Sequence, residues 1–114
     1  MLTHERLDVY RLSLELLGEV LLIIRALPPG NHDVVSQLRR AAMSIPLNIA
    51  EGAGKTGAPD KRRYYSIARG SLLETAAIFD LLVAWELIDR SSLEKARLFI
   101  ERIAAMLGAL TTRS

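Results

Sequence analysis

Cysteine is absent from this chain of 114 residues, so disulfides, thiolate metal sites and cysteine nucleophiles are excluded. Aromatic residues are scarce, at 5%, although half of the residues are hydrophobic. The core must therefore be assembled from Leu, Ile, Val and Ala, a composition that suits helices better than a β-sandwich. Long apolar runs are missing too. None is longer than Val20 to Ile24, far short of the roughly 20 residues that a membrane span needs, so no membrane partner is expected. Met1 to Arg6 contain neither an apolar stretch nor a small-residue cleavage site, so a secretory leader is not expected. A cytoplasmic location is the expectation, in keeping with the lack of cysteine. The net charge of +2 is too small to argue for nucleic acid by itself, and the position of the charges has to decide.

What remains reads as a single all-α domain of ordinary size, able to bury roughly two-thirds of its unfolded surface. A first helix is predicted over Leu7 to Leu27, stopped by Pro28-Pro29-Gly30. It carries two apolar stripes, Tyr10, Leu14, Leu17, Leu21 and Ile24 on one side and Leu12, Leu16, Val20, Ile23 and Leu27 on the other. A helix in a small monomeric bundle needs one buried face, so the second stripe points to another copy of the chain. A second helix is predicted from about Asp33 to Ala53, with Asn31 or Asp33 as cap and a kink at Pro46. After the loop Gly54 to Ala58, Pro59 suits the first turn of a third helix reaching Ile88. Ser91-Ser92-Leu93-Glu94 reads as a capping box for the fourth, whose apolar stripe is Leu93, Ala96, Ile100, Ile103, Leu107 and Leu110. Short connections between long helices imply an up-down-up-down antiparallel four-helix bundle.

Two helices break their own pattern. In the second, Gln37, Ala41, Ser44, Asn48 and Glu51 put small and polar residues at core spacing around Pro46, which removes one helical hydrogen bond. In the third, the stripe Ile67, Ser71, Glu74, Ile78, Leu81 and Trp85 is interrupted in the same way. The expectation is a partly buried polar network of Arg39, Ser44, Asn48, Glu51, Arg69, Ser71 and Glu74, with arginine, asparagine or backbone donors holding the two glutamates. Its role would be to fix helix register.

Chemistry finds little support here. Di-iron carboxylate bundles need Glu-x-x-His on two helices, and this chain has only His4 and His32 with no such motif. Gly52-Ala53-Gly54-Lys55-Thr56-Gly57 imitates the end of a phosphate-binding loop, but Ile49 stands at the first glycine position and a helix precedes it. No catalytic residues, metal or cofactor are assigned, and a non-enzymatic protein is expected.

In the bundle, one end collects Arg6, Arg11, Lys55, Lys61, Arg62, Arg63 and Arg113 against Glu5, Asp8, Glu51 and Asp60. A basic rim of Lys55, Lys61, Arg62 and Arg63 would attract a phosphate backbone in a salt-dependent way. The same cations also match the negative end of the second helix, and no arginine-rich recognition helix accompanies them.

The run from Gln37 to Gly52, with Ala68-Arg69-Gly70-Ser71-Leu72-Leu73-Glu74, closely resembles the two motifs of the four helix bundle protein family first found in intervening sequences of bacterial 23S rRNA genes. Leu7-Asp8-Val9-Tyr10 and Ala26-Leu27-Pro28 are similar to the family pattern for the first helix. The resemblance spans about Leu7 to Leu110. It implies an up-down bundle that assembles into a ring-like homo-oligomer, with pentamers as the associated form and no established molecular function. More distantly, the family is similar to accessory proteins of diversity-generating retroelements, basic pentamers that associate with a reverse transcriptase and nucleic acid. Self-association is thus the first expected partnership, and RNA, DNA or a nucleic-acid enzyme the second.

Overall fold

Leucine-rich segments separated by proline and glycine become four helices in the computed structural model, which describes residues 4–112. They are α1 (His4–Ala26), α2 (His32–Ala53), α3 (Ala58–Ala84) and α4 (Glu94–Thr112), the last preceded by a 3-10 turn over Arg90–Leu93. Each helix packs antiparallel on the next, and α4 closes on α1, giving a square bundle 44 Å long. Gly30, with a φ of +93°, makes the turn from α1 into α2. Asn31 precedes α2 but turns its side chain away, donating Nδ2–H to the Pro28 carbonyl at 2.8 Å. Among the described residues, no helix is long and apolar enough to cross a membrane.

The core takes only one stripe of α1. Val9, Leu12, Leu16, Val20 and Ile23 are buried, whereas Leu14 and Leu21 of the other stripe stand exposed. The six residues read from the spacing of the fourth helix are all buried, Leu93 at the end of the 3-10 turn and Ala96, Ile100, Ile103, Leu107 and Leu110 on α4. Each fully buried Leu or Ile contributes roughly 1.5–3 kcal/mol relative to exposure. α2 runs unbroken through Pro46, which is itself buried.

α3 departs from expectation in two respects. Its buried face is Tyr65, Ala68, Leu72, Thr75, Phe79 and Leu82, with Ile78 at the edge, while Ile67 and Trp85 are exposed. The face carrying Tyr65, Leu72 and Phe79 offers more apolar volume than the one carrying Ser71 and Glu74, so the helix is rotated towards it. The helix also stops at Ala84 rather than Ile88. Glu86 adopts a left-handed conformation with φ +57°, and the amides of Glu86 and Leu87 donate to the carbonyls of Val83 and Leu82, both at 2.9 Å. That is the Schellman arrangement, built here on a glutamate instead of glycine. At the next junction the expected capping box gives way to the 3-10 turn, in which the Ser92 amide donates to the Asp89 carbonyl at 3.0 Å.

Small residues set the spacing of α2 and α3. A Cβ at Gly52 would lie 2.8 Å from the Tyr65 ring and 3.1 Å from the Tyr64 Cβ. The Tyr65 ring is buried, so an added methyl would crowd it against the core. Gly52→Ala should therefore destabilise the bundle by about 1–3 kcal/mol despite its better helix propensity. A urea midpoint equal to or above that of the unsubstituted chain would refute this packing account.

Candidate functional site

Alanines at 41 and 68 and glycine at 52 bring the α2 and α3 backbones near one another, and a polar seam fills the outer edge of their contact. At its centre, Ser71 Oγ–H donates to Ser44 Oγ at 2.7 Å. Asn48 Nδ2 donates to the same Oγ at 2.9 Å and to the Ser44 carbonyl at 2.8 Å. Farther along, Gln37 Nε2 donates to the Glu74 carboxylate, and Arg40 Nη2 donates to Gln37 Oε1 at 3.1 Å. Seen from α3, Thr75 Oγ1 bonds back to the Ser71 carbonyl at 2.9 Å.

Ser44, Asn48 and Ser71 thus meet, and Glu74 joins the seam through Gln37, a bridging role that sequence reasoning missed. Spacing carried the signal, because Gln37 shares the stripe of Ser44 and Asn48. The carboxylates differ from expectation. Glu74 is exposed, and Glu51, also exposed, pairs with Lys55 at 3.1 Å one helical turn away. Arg39 and Arg69 are exposed on other flanks of their helices, away from Ser44 and Ser71. The rotation of α3 explains this: with Leu72 and Phe79 inside, Ser71 and Glu74 come to the rim, where water solvates a carboxylate and no arginine is required. Neutral donors and acceptors dominate the seam, which suits it to holding helix register and hydrogen-bonding a partner. Among the described residues, no three His, Asp or Glu side chains cluster as metal ligands.

The basic end has more structure than its charges alone suggested. Lys55 Nζ lies 5.2 Å from the centre of the Tyr64 ring and the Arg63 guanidinium 4.8 Å, so two cations flank one aromatic ring. Arg63 Nη2 also donates to the Tyr64 hydroxyl at 3.2 Å. The hydrogen bond and charge of Glu51 hold the Lys55 ammonium above its ordinary pKa. Lys61 turns inward and donates to the Ala53 carbonyl at 3.1 Å, neutralising the exposed C-terminal carbonyls of α2. Burial, then the neighbouring Arg6 charge, pushes its pKa down. Arg62 is half-buried, and Arg113 lies outside the described residues. Tyr64 was not visible as a site residue from composition, although it follows Arg63 directly in sequence.

Two further surfaces complete the picture. At the opposite end of the α2–α3 seam, a cavity of about 520 Å³ is walled by Val34, Gln37, Ile78, Leu81 and Trp85. Trp85, the only tryptophan, is 62% exposed at its rim. On α1, Leu14, Leu21 and Leu22 are 44%, 36% and 56% exposed, with Tyr10, Leu17 and Ile24 half-buried beside them.

A square antiparallel bundle with a polar seam between its second and third helices defines a class of small all-α proteins. The family model described as 23S rRNA-intervening sequence protein matches residues 5–109, and the chain belongs to that family. A crystal structure from Bacteroides thetaiotaomicron VPI-5482, described as a protein with unknown function from the S23 ribosomal protein family, has the same fold. It is 23% identical, with a TM-score of 0.83 over 92% of this chain and 99% of that one. No curated protein matches the chain.

Asn48→Leu removes two hydrogen bonds from the seam but leaves Ser44 bonded to Ser71. It should cost about 1–2 kcal/mol, whereas Arg39→Ala and Arg69→Ala should change stability by less than about 0.5 kcal/mol. Chemical denaturation of the three variants measures the contrast, and equal effects would deny the seam a structural role.

Proposed function

We propose that this protein is a non-enzymatic, self-associating helical bundle that acts as a scaffold or accessory factor in the cytoplasm. The observation that carries the reading is the exposed second stripe of α1, an apolar face on a helix whose other apolar face already fills the core. Surface apolar residues scattered singly need no explanation, but Leu14 and Leu21 lie two turns apart on one side of one helix, with half-buried apolar neighbours between and beyond them. A ring-like assembly, pentameric as the family resemblance implies, is the form proposed. Static light scattering at low micromolar concentration should give a multiple of the 12.6 kDa chain mass. The double variant Leu14→Glu, Leu21→Glu should lower that mass while keeping helical circular dichroism, because neither residue is part of the core. A one-chain mass for the unsubstituted protein would end this reading.

A second reading rests on a different observation, the pair of cations held against Tyr64. Lys55 and Arg63 present two positive groups close together at one end of the bundle, repeated on one side of any cyclic assembly. Such a rim suits sequence-independent association with RNA or DNA, alone or beside a nucleic-acid enzyme. Filter binding of single-stranded RNA in low salt should show retention that falls as salt rises. Lys55→Ala with Arg63→Ala should weaken it more than Lys61→Ala, since Lys61 is occupied with the α2 carbonyls. Retention that is absent, or indifferent to Lys55 and Arg63, removes nucleic acid from the account.

A further inference from the structure

We infer that the exposed stripe of α1 docks along the α2–α3 groove of a neighbouring copy, with Leu21 seated in the cavity beside Trp85. The inference rests on the self-association proposed above and names the surface that receives it.

The two surfaces lie on adjacent sides of the bundle. Glu19 of α1 pairs with Lys95 at 3.5 Å, which fixes that flank of α1 against α4 and turns Leu14 and Leu21 towards the α1–α2 side. The Ser44–Ser71 and Gln37–Glu74 bonds mark the outer groove on the α2–α3 side. Patches that differ in residues and direction join head to tail rather than face to face, and such contacts either close into rings or run on as filaments. Patches on adjacent rather than opposite sides of the bundle turn each copy relative to the last, which favours closure into a ring over a straight filament.

Their contents also match along the bundle axis. Copies in a ring share one axial direction, so residues at equal height come together. The Arg6 guanidinium sits 5.9 Å from the centre of the Tyr65 ring, placing the first turns of α1 near the level of Tyr65, about two turns into α3. The two helices run parallel from that contact. Equal counting puts Leu14 at the turn holding Gly70 and Glu74, and Leu21 at the turn holding Ile78 and Leu81. Ile78 and Leu81 are walls of the cavity. At the height of Leu14 the groove is thinned by Gly70, where an added Cβ would meet nothing within 4 Å, and Ile67 and Leu47 stand exposed within about a turn and a half. Between the two leucines, Gly18 leaves bare backbone about one turn beyond the height of Glu74. Arg25, near the end of α1, reaches the level of Asp33 and Glu86, all three exposed. Apolar meets apolar, and the end charges are of opposite sign.

A chain without cysteine allows a clean test. Leu21→Cys and Leu81→Cys are prepared as separate full-length variants, dissociated, mixed, reassembled and treated with a short bismaleimide, with Leu98→Cys on α4 as the outside control. A covalent two-chain product is expected from the Leu21→Cys and Leu81→Cys mixture, and little from either variant alone or from Leu21→Cys with Leu98→Cys. Efficient cross-linking of Leu21→Cys to itself or to Leu98→Cys overturns the groove assignment while leaving self-association intact. So does a multimer that gives no product with Leu81→Cys. A one-chain mass in light scattering removes both readings together. Should the variants fail to assemble, Trp85 reports on the unsubstituted protein. Its emission should shift to the blue and resist acrylamide quenching in the assembled form, and equal quenching in assembled and dilute dissociated protein overturns the inference.

Discussion

The close approach of α2 and α3 is the constraint on which the rest of the molecule depends. Buried Ala41 and Ala68 accompany it, and Gly52 is required by it, because the buried Tyr65 ring occupies the space of its missing Cβ. Among the described residues the Tyr65 hydroxyl has no hydrogen-bond partner, and burial pushes its pKa up against the opposing influence of Arg6. The ring is there for its volume, and the bundle tolerates an unsatisfied phenol to obtain it. With the backbones near each other, serine hydroxyls reach across the gap, and α3 settles at the rotation that buries Leu72 and Phe79.

That rotation is also where reading from the sequence failed. Helix number, order and antiparallel packing, the core stripe of α4 and the coexistence of two apolar stripes on α1 follow from spacing and punctuation alone. α3 offers two overlapping stripes a fraction of a turn apart, and periodicity cannot choose between them. Ile78 belongs to both. The choice depends on which face matches the thin side of α2, a tertiary fact absent from any single helix. Once α3 is misrotated, Glu74 is placed inward and arginines are sought to neutralise it. Glu51, just past the same ladder, pairs locally with Lys55 instead. Ser44, Asn48 and Ser71 were legible because short polar side chains near a proline have few other uses.

Charges at the α2–α3 turn divide between two tasks. Lys61 completes the end of α2 by donating to the Ala53 carbonyl. Lys55 and Arg63 face outward and are organised by Tyr64. Spacing gave both groups the same appearance, since a cation near a helix C-terminus is favourable whichever way it points. Only the direction of each side chain separates helix capping from an outward-facing charge.

The two apolar faces of α1 also bear on how the chain finds its structure. A helix with leucines on both sides can pack against its neighbours in more than one rotation, a local ambiguity of the kind that roughens a folding landscape. Two arginines settle the matter: any turn of α1 that buried Leu14 and Leu21 would carry the exposed Arg11 and Arg25 towards the core. Ser13 confirms the chosen orientation from inside, fully buried with its hydroxyl donating to the Tyr10 carbonyl at 2.6 Å. Arg11 and Arg25, both exposed, therefore select the native rotation by excluding the alternative.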